Sequence, residues 1–259
     1  MSSVARVAKA NTVRAQVSAA EWKARIELAA AYRLIAHFGI RDLTYNHLSV
    51  RVPGEPDKLL IKCAIEMFEE VTASSLFKYD LDGNPVMGTD RPLFGGGLII
   101  HAGLLKARPD LNVVFHTHSP ANMAVSAMKC GLLPINQHSI KFHNRLAYHR
   151  FRGFEFDPHM TEWLLDDLGP HRAMLLENHG ILIVGDTIAE AFVQHHFLEW
   201  ACQAQVMALA GGIENVKIPE AATCEHAAKQ VASPGGVPGG KDWDACLRLA
   251  DRIDPSYKE

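Results

Sequence analysis

An α/β layered domain is what the sequence predicts, and three observations predict it. Short apolar strand-like runs alternate with segments of helical period along the chain. Helix starts carry their own signals: Ser18-Ala-Ala-Glu21 and Thr187-Ile-Ala-Glu190 read as capping boxes, and Ser119-Pro120 as an N-cap followed by proline at the first helical position. At 259 residues and 48% hydrophobic content the chain can bury a substantial core, and it reads as one globular domain.

In chain order, residues 1–16 carry scattered charge and little periodicity, which predicts a flexible N-terminal arm. The capping box at Ser18 opens a helix through Phe38, with Gly39 as its stop. Strands follow over 47–52, 58–63 and 76–81, and Asp82-Gly83 supplies a hairpin turn. Residues 98–108 turn helical and stop before Pro109, after which 113–115 is a buried strand delivering His116. The helix from Ser119-Pro120 is expected to end at Gly131. Asp157-Pro158 starts another that Gly169 stops, and a strand over 173–176 leads into the turn Asn178-His179-Gly180 and a further strand over 181–184. A long helix runs from Thr187 to Gly211. Beyond it the chain loosens, with a Gly/Pro linker over 234–240 and a short helix over 243–253.

Composition narrows the function classes. The net charge is -3, and no Lys/Arg-rich block points to nucleic acid, so a small-molecule substrate is the better expectation. No signal-peptide core is present and no run approaches the roughly 20 apolar residues that cross a bilayer, which predicts a cytoplasmic protein with no membrane partner. Cys63, Cys130, Cys202, Cys224 and Cys246 are odd in number and contain no Cys-x-x-Cys pair, so reduced thiols are expected.

The chemistry concentrates in three histidines. His116 and His118 are spaced i, i+2, which on a strand puts both imidazoles on one face. His179 sits in a turn after an apolar strand, where a third imidazole can reach the same ion. His-x-His alone is equally met by core or surface histidines, of which this chain has many. Three imidazoles leave open coordination positions for a substrate, and they suit zinc, manganese or iron.

Together with these histidines, Asn46-His-Leu-Ser-Val-Arg-Val-Pro-Gly54, Val71-Thr-Ala-Ser-Ser-Leu76, Ile100-His101, Ala107-Arg-Pro-Asp110, Gly131-Leu-Leu-Pro134, Gln137-His138, Asn178-His-Gly180, Ala189-Glu-Ala-Phe192 and Leu198-Glu199 resemble the class II aldolase/adducin family. The resemblance covers roughly residues 19–212. It implies a three-layer α/β/α fold around a central, mainly antiparallel sheet, a homotetramer with active sites between subunits, and a divalent metal, zinc first among candidates, on His116, His118 and His179. The domain is expected over 17–212, with 213–259 as a C-terminal linker and short helix.

The resemblance also exposes a departure. The family's sugar-phosphate aldolases carry a catalytic glutamate four residues before the position of His101; here Gly97 stands there, at the end of Phe94-Gly-Gly-Gly97. Glycine cannot move a proton. The phosphate-holding serines are missing from the same segment, and Lys62-Cys-Ala-Ile65 replaces the usual glycine-bearing loop, so a non-phosphorylated substrate is expected. Asn46, Ser49, Lys62 and Gly97 are the expected substrate-side positions, with a surface lysine the alternative for Lys62. His138 stands by spacing where the aldolases have a proton-donating tyrosine and is the catalytic candidate. His101 reads as a buried, hydrogen-bonded histidine, His195 and His196 as exposed or subunit-facing. Glu69, Glu70 and Glu177 are the nearest substitutes for the missing carboxylate.

The expected function is a metal-dependent lyase cleaving a carbon-carbon bond of a hydroxy or keto acid or an aromatic carboxylate, as a decarboxylase or aldolase through a stabilised enolate. A non-haem iron oxygenase on the same three histidines is one alternative. A non-catalytic adducin-like interaction module is the other.

Overall fold

The computed structural model of the protein describes residues 12–87, 95–154, 156–157, 159–232 and 239–259. Residues 1–11 of the expected arm, Phe94, Pro158 and residues 234–238 of the expected linker lie outside the described residues. After a single turn, α1 (Val13–Gln16), Ser18 accepts a hydrogen bond from the Glu21 amide at 3.0 Å and opens α2 (Ala19–His37). The Glu21 carboxylate does not complete a capping box; it is 1% exposed and takes Arg25 at 2.9 Å and Lys78 at 2.8 Å, riveting the helix to the sheet. Deleting one partner of so buried an ion pair costs about 3–5 kcal/mol.

Four strands follow: β1 (His47–Val52), β2 (Glu55–Ile61), β3 (Phe77–Asp80) and β4 (Pro85–Met87), the last two joined through Asp82-Gly83. Next come α3 (Gly95–Ala107), β5 (Val113–Thr117), α4 (Pro120–Ser126), α5 (Gln137–Ile140), β6 (Leu146–His149), α6 (Met160–Leu168), β7 (Ala173–Leu176) and β8 (Gly180–Gly185). The chain closes with α7 (Ile188–Leu209), α8 (Ala221–Ala232) and α9 (Gly240–Ile253). The eight strands form one sheet in the order β4-β3-β2-β1-β5-β8-β7-β6, antiparallel at every step except the parallel β6–β7 pair.

Strand alternation sorts side chains into two cores. Val50, Val113, Phe115, Ile181 and Ile183 pack on one side with Leu28, Leu34 and Ile35 of α2, Phe192 and Leu198 of α7 and Trp243 of α9. Leu59, Ile61, Val114, Leu182 and Val184 pack on the other with Ile100, Leu104 and Leu105 of α3 and Leu164 of α6. The result is the three-layer α/β/α arrangement. The Tyr32 hydroxyl from α2 donates to the Leu48 carbonyl and accepts from the Leu48 amide at 2.8 Å, so β1 is pinned at the residue after His47.

Several boundaries differ from expectation. α4 stops at Ser126 rather than Gly131, because the Ser126 carbonyl accepts from the Asn178 amide instead of continuing the helix. β2 ends at Ile61, before Lys62 and Cys63. Helix α8 was not legible: the residues it buries completely, Cys224 and Ala228, are small and make no apolar stripe. The last residues dock on their own chain, with Tyr257 only 1% exposed and the Ala73 and Ser74 amides donating to the carbonyls of Tyr257 and Glu259. Among the described residues, no helix is long and apolar enough to cross a membrane.

Candidate metal centre

His116 is the fourth residue of β5, His118 follows the strand's end, and His179 closes the turn before β8, which pairs with β5. Thr117, between the two, points to the opposite face and meets His195 of α7 at 2.7 Å. The connection into α4 is fixed by the Ser119 hydroxyl donating to Glu199 at 2.7 Å, with Asn122 on the same carboxylate. The three imidazoles therefore share one side, and their ligating atoms lie within 4.8 Å of one another.

Asn178 adopts φ 56°, the left-handed turn that asparagine tolerates, and aims His179 inward. Gly180 is required for close approach: a Cβ there would stand 2.5 Å from the Thr117 carbonyl oxygen and 3.0 Å from the His118 ring.

Two of the rings are oriented from behind. His116 Nδ1 lies 2.9 Å from the Ile181 carbonyl and His118 Nδ1 lies 2.8 Å from Asp42 Oδ2, acceptors that place hydrogen on each Nδ1. Both Nε2 lone pairs are then turned to the same point, and the two atoms are 2.8 Å apart. Two facing lone pairs repel; a shared cation satisfies both, which is how the donor set fits a divalent metal. Burial, and after it the neighbouring imidazoles, holds His116 well below the ordinary histidine range, so the ring is in its ligating neutral form. The His118 amide donates to Asn46 Oδ1 at 2.8 Å, steadying the backbone beneath the ligand.

The triad forms one end of a cavity of about 580 Å³ lined also by Asp42, Tyr45, His47, Met123, Phe154, Phe156 and Asn178. Phe154 and Phe156 are 67% and 66% exposed and give the cavity apolar lining. His47 is the cross-strand partner of His116, and their ring centroids are 5.1 Å apart. Gly97, in the first turn of α3, lies directly over His47: a Cβ on it would stand 3.5 Å from the ring.

The substrate-side positions divide. Asn46 braces the site and Gly97 borders it through His47, whereas Ser49 and Lys62 do not line the cavity. Ser49 is buried against His101 Nδ1 at 2.5 Å. Lys62, expected as an anion contact or a surface lysine, is neither: it is 3% exposed and its ammonium donates to the carbonyls of Thr44, Cys63 and Glu66. Burial lowers its pKa to about 8. His138 also lies outside the cavity of its own chain, stacked on Phe197 of α7 at 4.8 Å. Glu69 is paired with Arg41 and Glu70 caps the Met67 amide, so neither replaces the missing carboxylate. His195 is corrected too: it is 1% exposed rather than surface-facing, and burial drives its pKa to about 3.

Asp42, His47, Phe154 and Phe156 escaped the sequence reading. His47 alone carried a signal, because its strand position puts it on the same face as Ser49.

A family profile described as Class II Aldolase and Adducin N-terminal domain matches residues 26–206, and the chain belongs to the class II aldolase/adducin family. A Caulobacter vibrioides protein provisionally named as a class 2 aldolase is 42% identical over 248 residues, 96% of each chain. Rat (Rattus norvegicus) alpha-adducin is 35% identical over 243 residues, 88% of this chain but 33% of its own length. Among solved structures, an aldolase II superfamily protein from Pseudomonas syringae superposes with a TM-score of 0.92 at 40% identity, covering 95% of this chain and 99% of that one. The L-fuculose 1-phosphate aldolase of Glaciozyma antarctica shares the fold, with a TM-score of 0.81 at 24% identity over 96% and 95% of the two chains.

Proposed function

We propose that this chain is a metal-dependent carbon-carbon lyase acting on a non-phosphorylated hydroxy or keto acid or an aromatic carboxylate. The observation that carries the reading is the convergence of His116 and His118 Nε2 with His179, the first two held by Ile181 and Asp42. A divalent cation bound there, zinc first and manganese or iron next, supplies Lewis-acid polarisation of a substrate oxygen and stabilises negative charge developing beside the broken bond. Asn46 and the Gly180 turn keep the ligands in place, while Tyr45, Met123, Phe154 and Phe156 offer an apolar surface to the organic part of the substrate and reduce its exposure to water.

Two features favour a non-phosphorylated acid. Ser49 and Lys62 are consumed inside the protein, leaving neither for a phosphate. Gly97 supplies no base, and decarboxylation fits because departing carbon dioxide leaves its bonding electrons behind without proton abstraction. Assembly as a homotetramer with sites between subunits is part of the reading. Tyr45, Phe154 and Phe156, exposed although they line the cavity, support burial by a neighbouring subunit.

The match to alpha-adducin favours a second reading, a non-catalytic interaction module. The deciding experiment is anaerobic incubation of metal-loaded protein with a panel of hydroxy, keto and aromatic acids, following release of carbon dioxide or an aldehyde. Turnover that a chelator abolishes and zinc, manganese or iron restores is expected; product only when oxygen is supplied would move the site to oxygenase chemistry, and no turnover with stable partner binding would favour the module.

A further inference from the structure

The turn between α2 and β1 grips one metal ligand from two sides. Asp42 Oδ2 lies 2.8 Å from His118 Nδ1, and Asn46 Oδ1 accepts from the His118 amide at 2.8 Å. A shift of this turn therefore acts on the His118 ring and on the backbone beneath it. Yet the turn is poorly built to hold itself. Leu43 sits at φ 48°, a left-handed conformation that a bulky side chain rarely adopts, and it is 68% exposed, with Tyr45 beside it 54% exposed. The turn's own closing hydrogen bond runs from the Tyr45 amide to the Asp42 carbonyl at 2.9 Å.

The segment that follows β2 anchors this turn. The Lys62 ammonium, on a residue 3% exposed, donates to the Thr44 carbonyl at 2.8 Å and to the carbonyls of Cys63 and Glu66 at 3.2 and 2.8 Å. An ammonium has three donors and no acceptor, so three carbonyl oxygens satisfy it. Charge-assisted bonds of this kind are about twice as strong as neutral ones, and burial spares them from screening by salt. A second link, Arg41 to Glu69 at 2.7 Å, joins the same two segments, but both side chains are exposed, where such a pair contributes little. A methionine in place of Lys62 would keep the length of the side chain and withdraw the donor from all three carbonyls.

We propose that Lys62 is a positioning residue for the metal centre: its ammonium fastens the 42–46 turn from behind, and the turn in turn fixes His118. The three carbonyls amount to a small cation site that the chain fills with its own lysine, as backbone oxygens elsewhere replace the water shell of an alkali ion. This gives the buried charge a task other than substrate binding, since Lys62 does not line the cavity. The inference rests on the reading of His116, His118 and His179 as a metal site.

Zinc titration against a chromophoric chelator, with Lys62→Met beside the wild type, reads the effect without any assay of activity. Affinity should fall about tenfold, the lower end of what loss of a supporting group costs. The visible bands of cobalt-loaded protein should change in Lys62→Met in the same direction as in Asp42→Ala, a signature that lost stability alone would not produce. Lys62→Ala should regain zinc affinity in propylammonium chloride, which replaces the missing side-chain atoms, and not in sodium chloride at equal ionic strength. Equal zinc affinity and equal cobalt bands in Lys62→Met and the wild type overturn the proposal, and so does a Lys62→Ala that propylammonium does not restore. If neither variant folds, the wild-type nitrogen-15 spectrum decides: a slowly exchanging Lys62 ammonium signal upholds the tether and a rapidly exchanging one overturns it. A wild type that binds no zinc sinks the metal reading itself, a failure distinct from equal binding by both proteins.

Discussion

Two histidine clusters among the described residues contrast in what stands behind their rings. At the cavity, His116 and His118 each have Nδ1 against an acceptor and Nε2 aimed at a common point with His179 nearby. At α5 and α7, His138 stacks flat on Phe197 and His196 packs against Trp200 and Phe38, while the buried Nδ1 of His138 has no hydrogen-bond partner among the described residues. The numbers of imidazoles and aromatics are similar. The difference is support: a ring becomes a ligand when a fixed acceptor behind it decides which nitrogen is bare, and a ring held by stacking has no such instruction.

Breaking the supported cluster should have the largest effect. His179→Ala removes a donor and should lower metal affinity by more than the roughly 10–100-fold expected when a supporting group is lost, measured by competition with a chromophoric chelator. Asp42→Ala leaves all three ligands but frees the His118 ring, and the same titration should show a loss of about 10–100-fold. An unchanged affinity in Asp42→Ala would mean that the acceptor behind His118 does not orient it.

Gly97→Glu sharpens the contrast by forcing the missing carboxylate back. A Cβ at 97 meets the His47 ring in ordinary contact at 3.5 Å, so the cost, about 1–3 kcal/mol readable as a lowered denaturant midpoint, should come from the longer side chain packing beside that ring. Combined with His47→Ala, most of that loss should disappear; equal loss in both backgrounds would place the strain elsewhere. The smallest effect belongs to the unsupported cluster. His138→Ala should cost about 0.5–1.5 kcal/mol through its stack on Phe197 and leave metal affinity untouched.

The same contrast explains what the sequence revealed. Capping is local chemistry, so Ser18, Ser119 and Thr187 were legible as helix starts and each accepts from the amide three residues on. His116 and His118 were legible because strand alternation is local, and His179 because its Asn-His-Gly turn directly follows an apolar strand. Asp42 reaches the cavity from one loop and Phe154 and Phe156 from another, where no period announces a direction. Lys62 misled because a lysine at a strand end is ordinarily solvated, and only the fold brings three carbonyls around it. His138 stands at the right spacing from His118, yet spacing does not say whether α5 reaches the cavity, and within one chain none of its residues lines it.

Elemental analysis of untagged protein, reconstituted with zinc, manganese or iron and then desalted, tests the central claim most directly. About one ion per chain in the wild type and in His138→Ala, with none in His116→Ala, is the predicted result. A wild type that retains no ion, or a His116→Ala that retains it fully, would contradict the metal centre.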